Sequence, residues 1–476
     1  MSATRIVCTI GPKTESPDAI RALFKAGMNV ARLNASHNTL DWHAAVIKRL
    51  REAAPNVPIL LDIPGRKIRT AGLLFEPTFK VGATIILTTD PGHDGSQKIP
   101  VTHDALHLAL SPGDTILADD GTLRFTVTDI AGRDIVCRAE NDGQLKSRKG
   151  INIPHVKLQG DLVTDRDLRM VQFARDNGVD FIGISFVESA KHIAAIRSLV
   201  EGNSPRIVSK VENRNGLENL EEIAEATDAI MIDRGDLSVE TSLKDVALMQ
   251  KRILDAGRRF GKPVIVATEM LHTMIANPYP TKAEVSDITH AVLDGCAATM
   301  LSGETAVGAY PFEAVNLMRE ICDVSESHAQ NLLDLANSKT ADDIPEAMAD
   351  AAILICRRLP VNKIVVFTQT GYAARQLASR RPRQPIIAVS EEELAARSFN
   401  LIAGTEGLHI SATFSRTSTN HIAYGLEELW RRGHLVDRDL ILVTGRSYPR
   451  SGNRINLLEV HRVSDLAETL NWNGLR

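Results

Sequence analysis

Eight short apolar runs, each closing on polar residues, constrain this chain more than any other feature of its sequence. They occupy residues 4–12, 28–36, 58–65, 181–186, 206–213, 229–236, 263–269 and 297–304. Amphipathic patterns separate most of them, at 17–26, 42–53, 165–177, 190–201, 217–226 and 242–260. A strand that is apolar on both faces belongs to a parallel sheet covered by helices. Eight such strands fit a (β/α)8 TIM barrel, and a doubly wound sheet is the alternative. The rhythm breaks at 71–159, where short strands follow one another between Gly-Asp, Asp-Gly and Ala-Gly turns without helical periodicity. This reads as a small all-β domain inserted in a barrel loop, a candidate lid. The division expected for the 476 residues is therefore a barrel of 1–70 and 160–338, the insert at 71–159, and a C-terminal α/β domain at 339–476.

Composition excludes several classes of function. The 55 basic and 59 acidic residues leave a net charge of −4, which gives no overall attraction to nucleic acid or an acidic membrane. Five scattered cysteines lack metal-ligand spacing and read as reduced buried thiols. The chain enters its first strand without a signal-like segment, and no apolar run is long enough to cross a bilayer. A soluble cytoplasmic protein is expected.

Polar residues gather where the runs end. Lys210 and Glu212 lie two apart on one strand and so share a face. Asp236 follows Arg234-Gly235 at the next strand end, and Thr268 and Ser302 close the two after that. Between these last two, Thr281 and Glu284 form a capping box opening a helix that reaches about Leu293. Taken singly, these features read as an ion pair, helix caps and a turn. Together, at consecutive C-terminal strand ends, they point to a site. A divalent cation on Glu212 and Asp236, with oxygen ligands suited to Mg2+ or Mn2+, would account for buried acids beside a lysine. Such a lysine suits a phosphoryl group.

The stretches CTIGP, ARLNASH, SKVEN, RGDL, VATEML, PTKAEVSD, AVLDG, MLSGETA and YPFEAV occur in the order found in pyruvate kinase, and the chain resembles that family over most of its length. The resemblance implies phosphoryl transfer from phosphoenolpyruvate to ADP, giving pyruvate and ATP, by a homotetramer. It implies that Lys210 faces the transferring group, that Glu212 and Asp236 hold the metal, and that Gly235, Asp236 and Thr268 receive the substrate carboxylate. It makes Arg32 and Arg69 phosphate contacts, with Asn34, Ser36 and His37 on the nucleotide and cation side. Lys149 and Asp120 of the insert would reach the nucleotide phosphates. Thr268 and Ser302 would pass a proton to the enolate carbon through water, organised by Glu304.

Several positions depart from the family pattern. Where the family has Asp-Thr-Lys-Gly-Pro-Glu-Ile-Arg, this chain has Asp62-Ile63-Pro64-Gly65-Arg66-Lys67-Ile68-Arg69. In the family a lysine at the position of Lys67 accompanies K+-independent enzymes. The cation site of Asn34, Ser36 and Asp62 is thus expected to lose an oxygen at Ile63 and gain the Lys67 ammonium in place of K+. Asn38 stands in place of a glycine, Asp233 in place of a small residue, Ser238 in place of a glycine, and Val307 and Ala309 in place of Lys and Asp. Asp233 adds negative charge near the metal acids. In the C-terminal domain Thr368, Thr370, Gly371 and Tyr372, with Arg446 opposite, resemble a sugar-phosphate effector site, although plain helix capping reads equally well. Two rival functions remain at this stage: another metal-dependent barrel enzyme acting on phosphoenolpyruvate or a keto acid, and a catalytically silent, sugar-phosphate-binding paralogue.

Overall fold

The computed structural model describes residues 3–65, 67–119, 121–154, 162–200, 204–333, 344–414, 418–445 and 455–472. Eight parallel strands close into a barrel in sequence order: β1 (Arg5–Thr9), β2 (Val30–Asn34), β3 (Ile59–Ile63), β4 (Phe181–Ile184), β5 (Arg206–Val211), β6 (Ala229–Asp233), β7 (Val264–Ala267) and β8 (Ala298–Leu301). The alternation of side chains along each strand explains why these runs are apolar throughout. Ile6, Cys8, Ile59, Leu61, Ile63, Ile230 and Ile232 point outward into the core shared with the helices. Val7, Val30, Leu60, Val208, Ala229 and Met231 point inward and fill the barrel. Two residues further along, the same inward faces carry Thr9, Arg32, Asp62, Lys210 and Asp233, all buried. The interior thus changes from apolar to charged at the C-terminal strand ends, the usual place for a barrel's active site.

The insert builds a seven-stranded sheet whose edge strand Ile68–Arg69 pairs antiparallel with Gly150–Asn152. Sheet pairing therefore starts before residue 71. Its own core includes Phe79, Phe125, Ile116 and Ile135. The C-terminal domain is a five-stranded sheet, parallel except for Leu457–Arg462, which runs antiparallel along Leu440–Gly445. It sits at the opposite end of the barrel from the charged layer. There Arg206, the first residue of β5, donates from Nη1 to Thr370 O at 2.9 Å, and Arg397 Nε donates to Asp180 Oδ1 at 3.0 Å. Leu401 joins the apolar cluster inside the barrel. Among the described residues no helix is long and apolar enough to cross a membrane.

Candidate active site

Lys210 is the centre of the charged layer. Its ammonium lies 3.1 Å from Glu212 Oε2, 3.1 Å from Asp233 Oδ2 and 3.7 Å from Asp62 Oδ2, and it donates to Ser185 Oγ at 3.3 Å. Burial opposes its charge, but Asp62, Glu212 and Asp233 outweigh that cost and hold its pKa well above the usual lysine value. Arg32 Nε and Nη2 both donate to Asp62 Oδ2, at 3.0 and 2.6 Å, and Nη1 donates to Thr9 Oγ1 at 3.0 Å. Glu212 is fully buried. Its Oε1 accepts the Phe186 N–H at 2.7 Å, while Oε2 makes no hydrogen bond. Burial pushes this carboxyl up to about 8, against the pull of Lys210. Glu212, Asp233 and Asp236 each offer an oxygen within 4.8 Å of the others, a donor set that fits a hard divalent cation.

Asp236 lies in the first turn of the helix Arg234–Glu240, which follows β6 directly. Lys67 Nζ sits 2.5 Å from Asp236 Oδ1 and 5.7 Å above the Phe186 ring. Thr268 follows β7 with φ 65°, an uncommon conformation for a β-branched residue. Arg234 holds that turn: Nη2 donates to Thr268 O at 2.6 Å and to Glu269 O at 3.1 Å, while Nη1 pairs with Asp287. Thr268 Oγ1 accepts the Gly235 N–H at 3.0 Å and donates to Ala267 O at 2.6 Å. The Gly235 amide expected to face a substrate carboxylate is engaged with Thr268 here. The Ser302 hydroxyl oxygen is buried and makes no hydrogen bond. Both oxygens of Glu304 are taken by backbone N–H groups, Oε2 by Ser302 at 2.8 Å and Oε1 by Leu271 at 3.1 Å. Glu304 therefore clamps the two loops together and makes no hydrogen bond to either hydroxyl.

A barrel with a lysine, three acids and a strained threonine at its mouth is compatible with several chemistries, and comparison with known proteins decides among them. The family description "Pyruvate kinase, barrel domain" matches residues 1–315, and "Pyruvate kinase, alpha/beta domain" matches 346–461. The chain belongs to the pyruvate kinase family. It is similar to the pyruvate kinase of Bacillus licheniformis, 37% identical over 484 residues that cover 98% of this chain and 81% of the relative. The Geobacillus stearothermophilus pyruvate kinase is 37% identical over 478 residues, 97% of this chain and 81% of the relative. That of Agrobacterium vitis is 35% identical over 478 residues, 98% of each chain.

As a pyruvate kinase, the chain brings Arg32, Asp62, Lys210, Glu212, Asp236 and Lys67 into one connected set of charges. Asn34 and Ser36 lie at the end of β2, where Asn34 Oδ1 accepts the Ser36 N–H at 3.0 Å. Partial burial and the guanidiniums of Arg69 and Arg32 lower the His37 pKa. Arg69 Nη1 donates to Arg148 O at 3.2 Å, and Lys149 pairs with Asp119 at 2.7 Å, within the insert. Asp120 and Arg446 lie outside the described residues. Thr368 Oγ1 accepts the Gly371 N–H at 3.1 Å, which caps the turn before the helix Tyr372–Ala378.

Ile63 differs from the sequence expectation. Its side chain faces the outer core, so a threonine there would add no hydroxyl to the site. The charge argument then rests on Lys67 alone. Asp233, Arg234, Ser185 and Glu240 were not assigned a role from sequence. Side-chain alternation from Ala229 and Met231 marks Asp233 as inward-facing once the closed barrel is known.

Proposed function

We propose that this pyruvate kinase transfers the phosphoryl group of phosphoenolpyruvate to ADP in glycolysis, in the cytoplasm and as a homotetramer, without a requirement for K+ and under activation by a sugar phosphate. The observation that carries the transfer chemistry is the buried Lys210, held protonated by three carboxylates at the C-terminal barrel face. The bond from phosphorus to the enol oxygen breaks, and one forms to a terminal phosphate oxygen of ADP. Charge spreads over the phosphoryl oxygens in the transition state, so fixed cations do most of the work. Lys210 and Arg32 supply such cations without reorganising, because their carboxylate partners already fix their positions. Glu212 and Asp236 would hold Mg2+ or Mn2+, which supplies Lewis-acid charge for the phosphoryl and enolate oxygens. The enolate carbon must then gain a proton. Thr268 and Ser302 would pass it through water, a reading supported by the Ser302 hydroxyl, which makes no hydrogen bond within the protein and so is free to bind that water.

Lys67 supports independence from K+, because it puts a tethered positive charge 2.5 Å from Asp236. Assay in K+-free tetramethylammonium buffer is expected to give full activity, and strong stimulation by added K+ would refute the reading. For the effector, Thr368, Thr370, Gly371 and Tyr372 lie at a strand-to-helix turn that Arg206 links to the start of β5. Phosphoenolpyruvate saturation curves are expected to shift left with sugar phosphate, and identical curves would count against activation. One coupled assay of pyruvate formation from phosphoenolpyruvate, ADP and Mg2+ separates the main reading from a silent paralogue or another barrel enzyme.

A further inference from the structure

We propose that Asp233 is a third carboxylate ligand of the divalent cation in this chain, together with Glu212 and Asp236. The proposal rests on the reading that those two acids bind the cation.

Position comes first. Asp233 is the last residue of β6, inward-facing on the same side as Ala229 and Met231, and almost completely buried. The three carboxylates meet with ligand oxygens within 4.8 Å of one another. An octahedral Mg2+ with bonds of about 2.1 Å needs oxygens roughly 3–4 Å apart, so small side-chain movements close the set.

Each carboxylate is also anchored through one oxygen. Glu212 Oε1 accepts from the Phe186 amide, Asp236 Oδ1 from Lys67, and Asp233 Oδ2 from Lys210. The second oxygens lack such partners. Glu212 Oε2 is buried with no hydrogen bond, and its nearest cation, Lys210, is shared with Asp233 and Asp62. Among the described residues no hydrogen bond is donated to Asp233 Oδ1 or Asp236 Oδ2. A fully buried carboxylate oxygen left without a donor, as Glu212 Oε2 is, is costly, and a cation shared with the two neighbouring aspartates would satisfy it.

Charge gives an independent reason. The cluster holds four acids (Asp62, Glu212, Asp233, Asp236) and three cations (Arg32, Lys67, Lys210). Against the family pattern, lysine for glutamate at 67 moves the local charge by +2, and an acid for a small residue at 233 moves it by −1. Lys67 ties up one oxygen of Asp236 and adds positive charge next to the cation. Asp233 restores negative charge on the same side, so the two departures act on one ligand set. The competing role is simpler: Asp233 serves only as the counter-ion of Lys210.

Mn2+ binding to the substrate-free enzyme, measured by electron paramagnetic resonance, tells these roles apart without relying on turnover. Asp233→Asn is expected to weaken Mn2+ about 10-fold or more, the scale on which groups orienting a metal matter. Asp233→Glu keeps the charge but displaces the oxygens, and is also expected to weaken binding. It serves as well if the asparagine variant does not fold, as judged by circular dichroism. Wild-type affinity in both variants, while Glu212→Gln abolishes binding, would leave Asp233 as a counter-ion and overturn the proposal. Wild-type affinity in Glu212→Gln would instead overturn the underlying metal site, and the proposal with it.

Discussion

Glu240 ends the helix that carries Asp236 and accepts a hydrogen bond from Asn152 Nδ2 of the insert at 2.8 Å. Burial raises its pKa from 4.5 to about 6, so the folded protein prefers the protonated acid. The folded state then binds more protons than the unfolded one, and stability falls as pH rises through this window. Above pH 6 the cost reaches about 2 kcal/mol. Glu240→Gln keeps an acceptor for Asn152 and removes the charge. In metal-free buffer it is expected to be more stable than wild type at pH 7–8 by up to about 2 kcal/mol, with the difference vanishing below pH 4.5. Denaturation at both pH values checks this; a constant difference would assign the effect to packing. Lys210→Met is expected to lower kcat by about two to three orders of magnitude or more, since a fixed charge stabiliser is lost. Steady-state rates with folding checked by circular dichroism measure it, and a loss confined to KM would place Lys210 in ground-state binding alone. The shared face of Lys210 and Glu212 was legible because i,i+2 spacing on a strand carries a direction, and the position of Asp236 because it follows the end of the next apolar run. Asp233 was visible as an added charge, but its partner Lys210 lies on another strand, and no local pattern reports a contact across strands.

At the scale of elements, the helix Lys282–Leu293 forms as the sequence indicates. Thr281 Oγ1 accepts the Glu284 N–H at 3.2 Å, and Glu284 Oε2 accepts the Thr281 N–H at 2.7 Å. Thr281→Ala is expected to cost about 1 kcal/mol. Glu284→Ala should cost more, because Glu284 Oε1 also accepts the Thr273 N–H at 2.8 Å. Chemical denaturation of both variants orders them, and equal losses would show that the Thr273 bond adds nothing. The barrel strands were equally legible, since burial on both faces leaves long apolar runs. The strand Ile68–Arg69 was not, because two residues hold no periodicity and its pairing partner is Gly150, far along the chain. The helix Arg234–Glu240 was hidden for a different reason: Gly235-Asp236 reads locally as a turn, and only the packing of Leu237 and Val239 shows the helix. Arg234 then explains how a threonine can hold φ 65° after β7, because its guanidinium gathers the carbonyls of Thr268 and Glu269. Such a conformation costs about 1–3 kcal/mol and persists only where its surroundings impose it. Arg234→Met is therefore expected to reduce kcat by releasing the turn that aims Thr268.

Across the whole molecule the two added domains contact opposite ends of the barrel. At the mouth, Asn152 bonds Glu240, and a Cβ at Gly150 would approach within 2.9 Å of Lys67 Cε, so the insert rests against the residues that carry the site. At the base, Leu401 of the C-terminal domain belongs to the same buried apolar cluster as Val7, Leu60, Phe181, Met231, Ile265 and Met300. Arg5 reinforces the contact, donating from Nε to Ile402 O at 3.2 Å and from Nη2 to Thr405 O. The barrel's apolar interior is thus completed by a side chain that follows β8 by a hundred residues of sequence, a contact that length and periodicity do not encode. Truncating a buried leucine costs about 2–5 kcal/mol, through lost transfer energy and the cavity left behind. Because the chain holds several domains, denaturation reports on the domain that carries the substitution, and for a residue between two domains the location of the loss is more informative than its size. Leu401→Ala is expected to lower amide-exchange protection in the barrel strands as well as in the C-terminal sheet, since the cavity opens inside the barrel. Loss of protection in the C-terminal sheet alone would show that the barrel base is stable without its plug. Loss in both would make the base one cooperative unit with the C-terminal domain, and the Arg206 bond from β5 to Thr370 would then lie inside a rigid connection between the candidate effector turn and the strand carrying Lys210 and leading to Glu212.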